Sequence, residues 1–429
     1  MRSGESLIPK DTDLLELMLC RENMTSAWKR VKANRGAQGV DGLSINETEI
    51  EIRETWNSIK GRIEDGSYTP SPVRRTEIPK GNGETRPLGI PTVLDRLIQQ
   101  ALAQVLVQIF DPSFSKQSFG FRPHRSAQEA VQYIASHVKN GKKWAVDIDL
   151  SKFFDRVNHD LLMERVSRKV SDKRILRLIG KFLRAGVSVE GVVKPTPLGV
   201  PQGGPLSPLL ANIMLDDLDK ELESREHIFA RYADDFVILV SSQIAGKRVM
   251  TSIQRYIEKK LKLMVNVDKS RIIPSTQSEF LGFTFSRKKI CCSDKTMHQF
   301  KYRVKCFTKR NWGVSTEYRI DALSRYLRGW INYYRISERY RDVEVVDEWI
   351  RRRLRACIWK QWRHTRTKVR ELRKRGVSTA EAVRTGSSSK SYWRLSKTLA
   401  THWGMGKQWF EDCGLVNVRQ SWVNFHYPK

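Results

Sequence analysis

Along the first 65 residues apolar side chains recur at helical spacing with one interruption, "NRGAQGVDG" (34 to 42), whose three glycines mark an exposed loop. "RRTEIPKGNGETRPLGIP" (74 to 91) predicts a hairpin, in which a Gly-Asn-Gly turn joins two extended segments and Pro91 ends the second. From Val93 to about Phe110 the period returns to that of a helix with a buried face. "KKWAVDIDLSKFFDRV" (142 to 157) alternates apolar and acidic positions, as a strand with one wet face does. "PLGVPQGGPLSPLLANIMLDDLDKELE" (197 to 223) predicts a Pro/Gly turn and then a helix with Ser207 as cap, Pro208 first, and an apolar stripe of Leu210, Ile213, Met214, Leu218 and Leu222. "FARYADDFVILV" (229 to 240) follows as strand, acidic turn, strand, and after it come a helix near 246 to 262 and a short strand pair at 280 to 286. Strands and helices mix without a long βαβ repeat, so the expected class is α+β with a mainly antiparallel sheet.

Beyond residue 300 the pattern becomes purely helical. Leu323, Tyr326, Leu327, Trp330 and Ile331, then Val346, Trp349, Ile350, Leu354 and Ile358, fit two amphipathic helices with Arg-rich outer faces. Past about residue 371 a basic helix leads through the linker-like "TGSSSKS" (385 to 391) into a Trp-rich end.

Composition narrows the class. A chain of 429 residues, 40% hydrophobic, is long enough for about two to four domains with sizeable cores. Lys and Arg number 77 against 47 Asp and Glu, net +30, which calls for a polyanionic partner. The excess is uneven: residues 301 to 429 hold 30 basic and 11 acidic side chains, net +19, against net +11 for the first 300. The six cysteines form no CxxC pair, which argues against a zinc knuckle or disulfide framework and fits a reduced, cytoplasmic setting. No apolar run approaches the roughly 20 residues of a membrane span, and "MRSGESLIPKDTDLL" lacks a signal peptide's apolar core, so no membrane partner is expected.

The candidate chemistry lies in the acidic turn. Burying even one unpaired carboxylate costs several kcal/mol, yet Asp234 and Asp235 stand together between apolar runs. If the strand ending at Asp149 lies beside that turn, three carboxylates meet at one sheet edge, and hard divalent cations are their natural neutraliser. Two such ions about 3.5–4 Å apart support an in-line displacement at phosphorus, that is, nucleotidyl transfer. Around this edge, Arg74, Arg75, Lys80 and Arg86 decorate the hairpin, and Lys80 and Arg86 suit a triphosphate clamp. Gly203 and Gly204 carry no side chain, which allows a template strand close approach beside Gln202. Phe153 and Phe154 offer a floor under a nucleotide sugar; a ring beneath C2′ excludes a ribose hydroxyl. Strand alternation would turn the two to opposite faces, one as wall and one as core, with Phe153 the preferred wall. In the last third, Arg351, Arg352, Arg353 and Arg355 interleave with Trp349, Trp359 and Trp362, and with Trp330 they form a candidate nucleic-acid contact.

Five ordered motifs, "IPKGNGETRPLGIPTVLDRLIQQAL", "SFGFRP", "DLSKFFD", "PQGGPLSP" and "YADD", together with "NRGAQGVDG" before them and "RYLRGWINYYR" after, resemble the reverse transcriptase/maturase encoded by bacterial group II introns, nearest the compact group IIC kind. The resemblance spans essentially the whole chain. It implies a right-hand polymerase with an N-terminal extension and fingers (1–140), a palm with part of the fingers interleaved (141–295), a helical thumb or maturase region (296–370) and a small basic C-terminal DNA/RNA-binding domain (371–429). It implies RNA-directed DNA synthesis with two Mg²⁺ ions, Mn²⁺ as a possible substitute, held by Asp149, Asp234 and Asp235; Asp147 competes with Asp149, and the spacing to the Phe pair favours Asp149. By the same resemblance Lys80 and Arg86 contact the dNTP, Gln202 and Gly203 the template base, and Lys269 in "VNVDKS" protonates pyrophosphate. The implied partners are RNA template, primer strand, dNTPs, group II intron RNA and a DNA target, in bacterial cytoplasm and at the nucleoid when acting on DNA. The family's optional HNH endonuclease domain has no counterpart in the cysteine pattern. Two rivals stand beside this reading: an RNA-binding maturase with weak polymerase activity, and a relative domesticated for host DNA repair or defence.

Overall fold

The computed structural model of the chain describes residues 8–9, 12–79, 85–189 and 191–428, with the side chain of Arg287 left out. The chain divides into two compact units, 1–275 and 276–429. Among the described residues no helix is long and apolar enough to cross a membrane.

The first unit begins with helices Leu14–Leu19, Arg21–Asn34 and Ile45–Glu64, the third started by a capping box in which Ser44 and Glu47 satisfy each other's backbone N–H. Its strands are β1 (Val73–Pro79), β2 (Thr85–Ile90), β3 (Trp144–Ile148), β4 (Val187–Val189), β5 (Val192–Lys194), β6 (Ile228–Tyr232), β7 (Asp235–Val240) and β8 (Arg271–Pro274). They form two sheets. The order β2-β1-β4-β5 contains the expected hairpin, β1 antiparallel to β2, with β4 joined to β1 in parallel. The order β6-β7-β3-β8 is antiparallel throughout. The α+β class read from the pattern therefore holds.

Between the sheets in sequence lies the helix Val93–Phe110, which is buried on nearly every side and not on one face alone. Its polar residues are accordingly matched: Asp95 accepts from the hydroxyls of Tyr68 and Thr92, both at 2.7 Å, and from Ser71 N at 3.1 Å. Helix Gln243–Lys260 lies against β3 and β8. On β3, Ala145 as well as Val146 is fully buried, so the face expected to be wet is closed at Ala145 and only partly open at Asp147. The face bearing Ala145 and Asp147 opens toward the strand end, where Asp147 and Asp149 are both partly exposed. The helix after the Pro/Gly turn runs Ser207–Ser224 with Leu206, not Ser207, at its cap. Ser207 stands inside the first turn, where its hydroxyl donates to Pro201 O at 2.5 Å and ties the turn to the helix.

In the second unit a small sheet, β9 (Glu279–Phe280), β10 (Phe283–Thr284) and β11 (Cys291–Cys292), precedes helices Asp294–Phe307, Thr316–Tyr334 and Tyr340–Gln361. Shorter helices follow from Thr365 to His426, so "TGSSSKS" is a tight passage between helices Thr379–Gly386 and Tyr392–Leu395, not an extended linker. One apolar core joins Phe300, Leu323, Leu327, Ile350 and Trp359 to Leu372, Phe410, Val418 and Trp422. Arg355, expected on an outer face, belongs to this interior: it is buried, and its guanidinium donates to Ser396 O at 2.9 Å and Met405 O at 3.3 Å. Burial lowers its pKa to about 10. The helix is wrapped by the C-terminal segment, which a helical-wheel reading of one helix does not see.

Candidate active site

The turn between β6 and β7 consists of Ala233 and Asp234, since Tyr232 pairs with Asp235 across it. In the β3–β7 register Ile148 faces Phe236, so the next step along β3 brings Asp149 to the level of Asp235. The register thus puts Asp149, Asp234 and Asp235 at one end of the sheet. Asp235 opens β7 on the exposed side, whereas Asp234 is half-buried in the turn. Burial pushes the Asp234 carboxyl above its ordinary range, and the Asp149 charge adds to the rise while Arg86 and Arg231 oppose it.

Asp149 is held by its peptide. Its N–H donates to Ser270 Oγ at 3.1 Å and its carbonyl accepts from Asn266 N at 2.8 Å, so the turn 266–270 clasps the end of β3. Lys269 sits on that clasp, exposed. Asp147, two residues before Asp149 on the same strand face, has its carboxylate 3.7 Å from Arg271 Nε on β8.

The hairpin β1-β2 meets the "PQGG" turn at Gln202. Arg86 Nε donates to Gln202 Oε1 at 2.7 Å, and Gly89 N donates to Gln202 O at 2.7 Å. Cross-strand register places Arg74, opposite Ile90, and Arg86, opposite Ile78, on one face of the hairpin, and Arg75 on the other, beside Glu77 at 3.9 Å. Arg74 and Arg86 therefore share a face and Arg75 looks away from it. Lys80 and the Gly-Asn-Gly turn lie outside the described residues. Gly203, with φ +123°, has a protein neighbour where a template strand was expected: a Cβ there would stand 2.5 Å from Gly89 O. Its missing side chain lets the "PQGG" turn pack against β2.

Phe153 and Phe154 do not alternate along a strand. β3 ends at Ile148, and the pair forms the first turn of a helix, Phe153–Arg156, entered through Lys152 at φ +49°. Both rings are in the core, at 2% and 7% exposure, edge to face at 5.1 Å. In the second unit Trp330 lies tilted against Phe300 at 4.2 Å, Trp362 lies beside Trp359 and Arg375, Arg351 pairs with Asp347, and Arg352 and Arg353 lie over Trp393 and Trp349.

The buried support of the acidic turn went unread in the sequence. Arg231, fully buried in β6, makes a two-pronged ion pair with Asp219, Nε to Oδ1 at 2.7 Å and Nη2 to Oδ2 at 2.5 Å. The same guanidinium donates to Asn212 Oδ1 and to Ala233 O, both at 2.9 Å, and to Ser118 Oγ at 2.8 Å. It thereby holds the carbonyl of Ala233, whose left-handed φ of +60° is strained for a residue with a Cβ. "SFGFRP" closes the other side: Phe119 N donates to Arg231 O at 2.8 Å, and a Cβ on Gly120 would stand 2.8 Å from Tyr232 C. The available signal was a charge, Asp219, on the buried side of an apolar-striped helix, and an arginine inside a buried strand.

Oxygen donors only, on a half-buried edge whose carboxyls repel one another, suit a hard dication. Among the described residues no three His, Cys, Asp or Glu side chains gather around one point. One or two carboxylates with water and substrate phosphates is, however, the usual Mg²⁺ arrangement, so the residues fit that ion.

An antiparallel sheet carrying acids at one end and a basic hairpin in the same unit fit a polymerase of the right-hand class. Residues 78–285 match the model of the reverse transcriptase (RNA-dependent DNA polymerase) domain and residues 297–376 that of the group II intron maturase-specific domain. The chain is 32% identical over 318 residues to Protein YkfC of Escherichia coli, covering 64% of this chain and 83% of that one. It is 31% identical over 350 residues to the group II intron-encoded protein LtrA of Lactococcus lactis subsp. cremoris, covering 66% of this chain and 58% of LtrA. A solved structure titled "Partial Cas6-RT-Cas1--Cas2 complex" is similar at 25% identity and TM-score 0.38, over 58% of this chain and 43% of that one. The chain belongs to the family of group II intron-encoded reverse transcriptases, RNA-directed DNA polymerases with a maturase-specific domain.

Proposed function

We propose that the chain extends a DNA primer on an RNA template by two-metal-ion nucleotidyl transfer, and that it binds group II intron RNA to support splicing and mobility at a DNA target. The observation that carries the polymerase reading is Asp234: a half-buried carboxyl in a strained turn, raised by burial and by Asp149, and faced by Arg86. Asp149, Asp234 and Asp235 would hold Mg²⁺, or Mn²⁺ in its place. When bound, the two ions supply activation of the primer 3′-hydroxyl and neutralisation of the departing pyrophosphate.

The chain's own residues do the rest. Arg86, steadied at Nε by Gln202, keeps its terminal nitrogens for the triphosphate, with Arg74 on the same face of the hairpin, and Lys80 is assigned to the same substrate. Gln202 keeps its amide N–H for the template base. Lys269, on the turn that clasps Asp149, serves as proton donor to pyrophosphate, and the Phe153 and Phe154 pair braces the floor under the sugar. Arg351, Arg352 and Arg353, with the rest of the basic second unit, bind RNA.

Asp234→Ala tests the assignment. Primer extension on an RNA template should fall to background while template affinity stays at the wild-type value, because the substitution removes a ligand and no nucleic-acid contact. Extension at the wild-type rate would sink the metal-site reading. A wild-type protein that binds structured RNA and extends nothing would leave the maturase role and remove the polymerase.

A further inference from the structure

The second unit contains a cavity of about 690 Å³ whose walls share Trp349 and Arg353 with the candidate nucleic-acid contact. Its walls come from three places: Trp349, Arg353, Ala356 and Lys360 on helix Tyr340–Gln361, the loop Thr308–Asn311, and Tyr392 with Trp393 on the short helix Tyr392–Leu395. Four cations line it, Lys309, Arg310, Arg353 and Lys360, and no carboxylate does; among the described residues none of the four pairs with an acid. Such a concentration of unneutralised charge attracts an anion.

The aromatic walls narrow the choice. Arg352 lies over the Trp393 ring at 3.8 Å, yet Trp393 remains 38% exposed, so the indole is backed by a guanidinium on one side and open on the other. Arg310 stands over Tyr392 at 5.7 Å and Arg353 over Trp349 at 5.3 Å. Open rings interleaved with cations are the surface on which an unstacked base lies with its phosphates gripped alongside. A paired duplex hides its base faces and cannot use them.

The loop is preformed. Buried Arg319 donates to Phe307 O and Lys309 O, both at 2.9 Å, and to Trp312 O at 2.8 Å, while Arg353 Nε donates to Thr308 Oγ1 at 2.6 Å. A site set before binding loses little entropy on binding. The volume falls within the ~300–1,000 Å³ of ligand pockets.

We propose that this cavity captures one unpaired nucleotide, a bulged or flipped-out base with its flanking phosphates, from a structured nucleic acid. The site deepens the RNA-binding part of the proposed function and makes no use of the acidic turn.

The probe is an RNA hairpin with a single unpaired 2-aminopurine, compared with its fully paired counterpart, and the same two hairpins in DNA. The full chain should bind the bulged hairpin more tightly than the paired one and change the fluorescence of the unpaired base. Trp393→Ala should weaken bulged-hairpin binding about tenfold or more, the size of one lost base-aromatic stack. The paired hairpin should be bound as before. Arg310→Ala, on the exposed loop, should weaken the bulged hairpin without altering the melting temperature, which guards against a misfolded Trp393 variant. The stronger of the RNA and DNA arms names the natural source. No preference for the bulge in the wild type, undiminished binding by both variants, or equal displacement by a poly-glutamate peptide would overturn the proposal. Failure of the wild type to extend a primer would sink the polymerase reading alone.

Discussion

Arg231→Met is the perturbation through which the support of the acidic turn is most sharply tested. It strands Asp219, which is 0% exposed, as an uncompensated buried charge, and removing one partner of such a pair costs about 3–5 kcal/mol. At about 2–4 °C per kcal/mol for a unit of this size, melting should fall by on the order of 10 °C. Adding Asp219→Leu removes the stranded charge. Apolar replacement of a buried ion pair is often near neutral, so the double variant should recover most of the loss, leaving about 1–3 kcal/mol for Asn212 Oδ1 and Ser118 Oγ without their donor. What the double variant does not recover is the bond to Ala233 O. With that hook gone the strained turn relaxes, and a displacement near 1 Å at reacting groups costs about 10²-fold in rate. Primer extension under steady-state conditions, alongside melting curves, separates the two effects: the single variant should be unstable and slow, the double stable and slow, both with KM for primer-template unchanged. A double variant with wild-type kcat would refute the claim that Arg231 positions the turn. A single variant that melts like wild type would refute the burial of the pair.

Gly120→Ala should abolish extension or solubility, since its Cβ would stand 2.8 Å from Tyr232 C, whereas Gly313→Ala, with nothing near, should change melting by less than about 0.5 kcal/mol. Arg86→Ala should raise KM for dNTP well beyond any effect of Arg75→Ala, which removes a side chain from the opposite face of the hairpin; equal effects would place both at the substrate. The Cys292 thiol, pushed up to about 12 by burial, stays neutral where an ordinary thiol ionises. Because the shift is upward, its alkylation in the native protein should stay slow through pH 9 and match the other cysteines only in denaturant, as mass spectrometry of labelled peptides would show.

Local pattern carried much of the fold. Period-two and helical-period runs marked strands β3, β6 and β7, the hairpin β1-β2 and the helix Val93–Phe110, because alternation and helical spacing are imposed by burial of one element at a time, whereas β8, four residues long, carried no such run. The carboxylates of the candidate site were legible for the same reason: two adjacent charges in an apolar run contradict burial unless something compensates them. Tertiary structure alone decided the rest. That Asp147 stands beside a cation of its own depended on Arg271 arriving on β8. Which hairpin arginines share a face depended on register, and why Gly203 lacks a side chain depended on Gly89 folding against it. The Phe pair left the strand because the chain turns through Lys152. Arg355 went inside because residues some 40 to 50 positions later wrap its helix, and Arg231 became the anchor of the turn only when Asp219, Asn212 and Ser118 closed around it. Each of these outcomes is a contact between residues distant in sequence, and the partner that compensates a charge or fills a face is chosen by the fold, not by the neighbours along the chain.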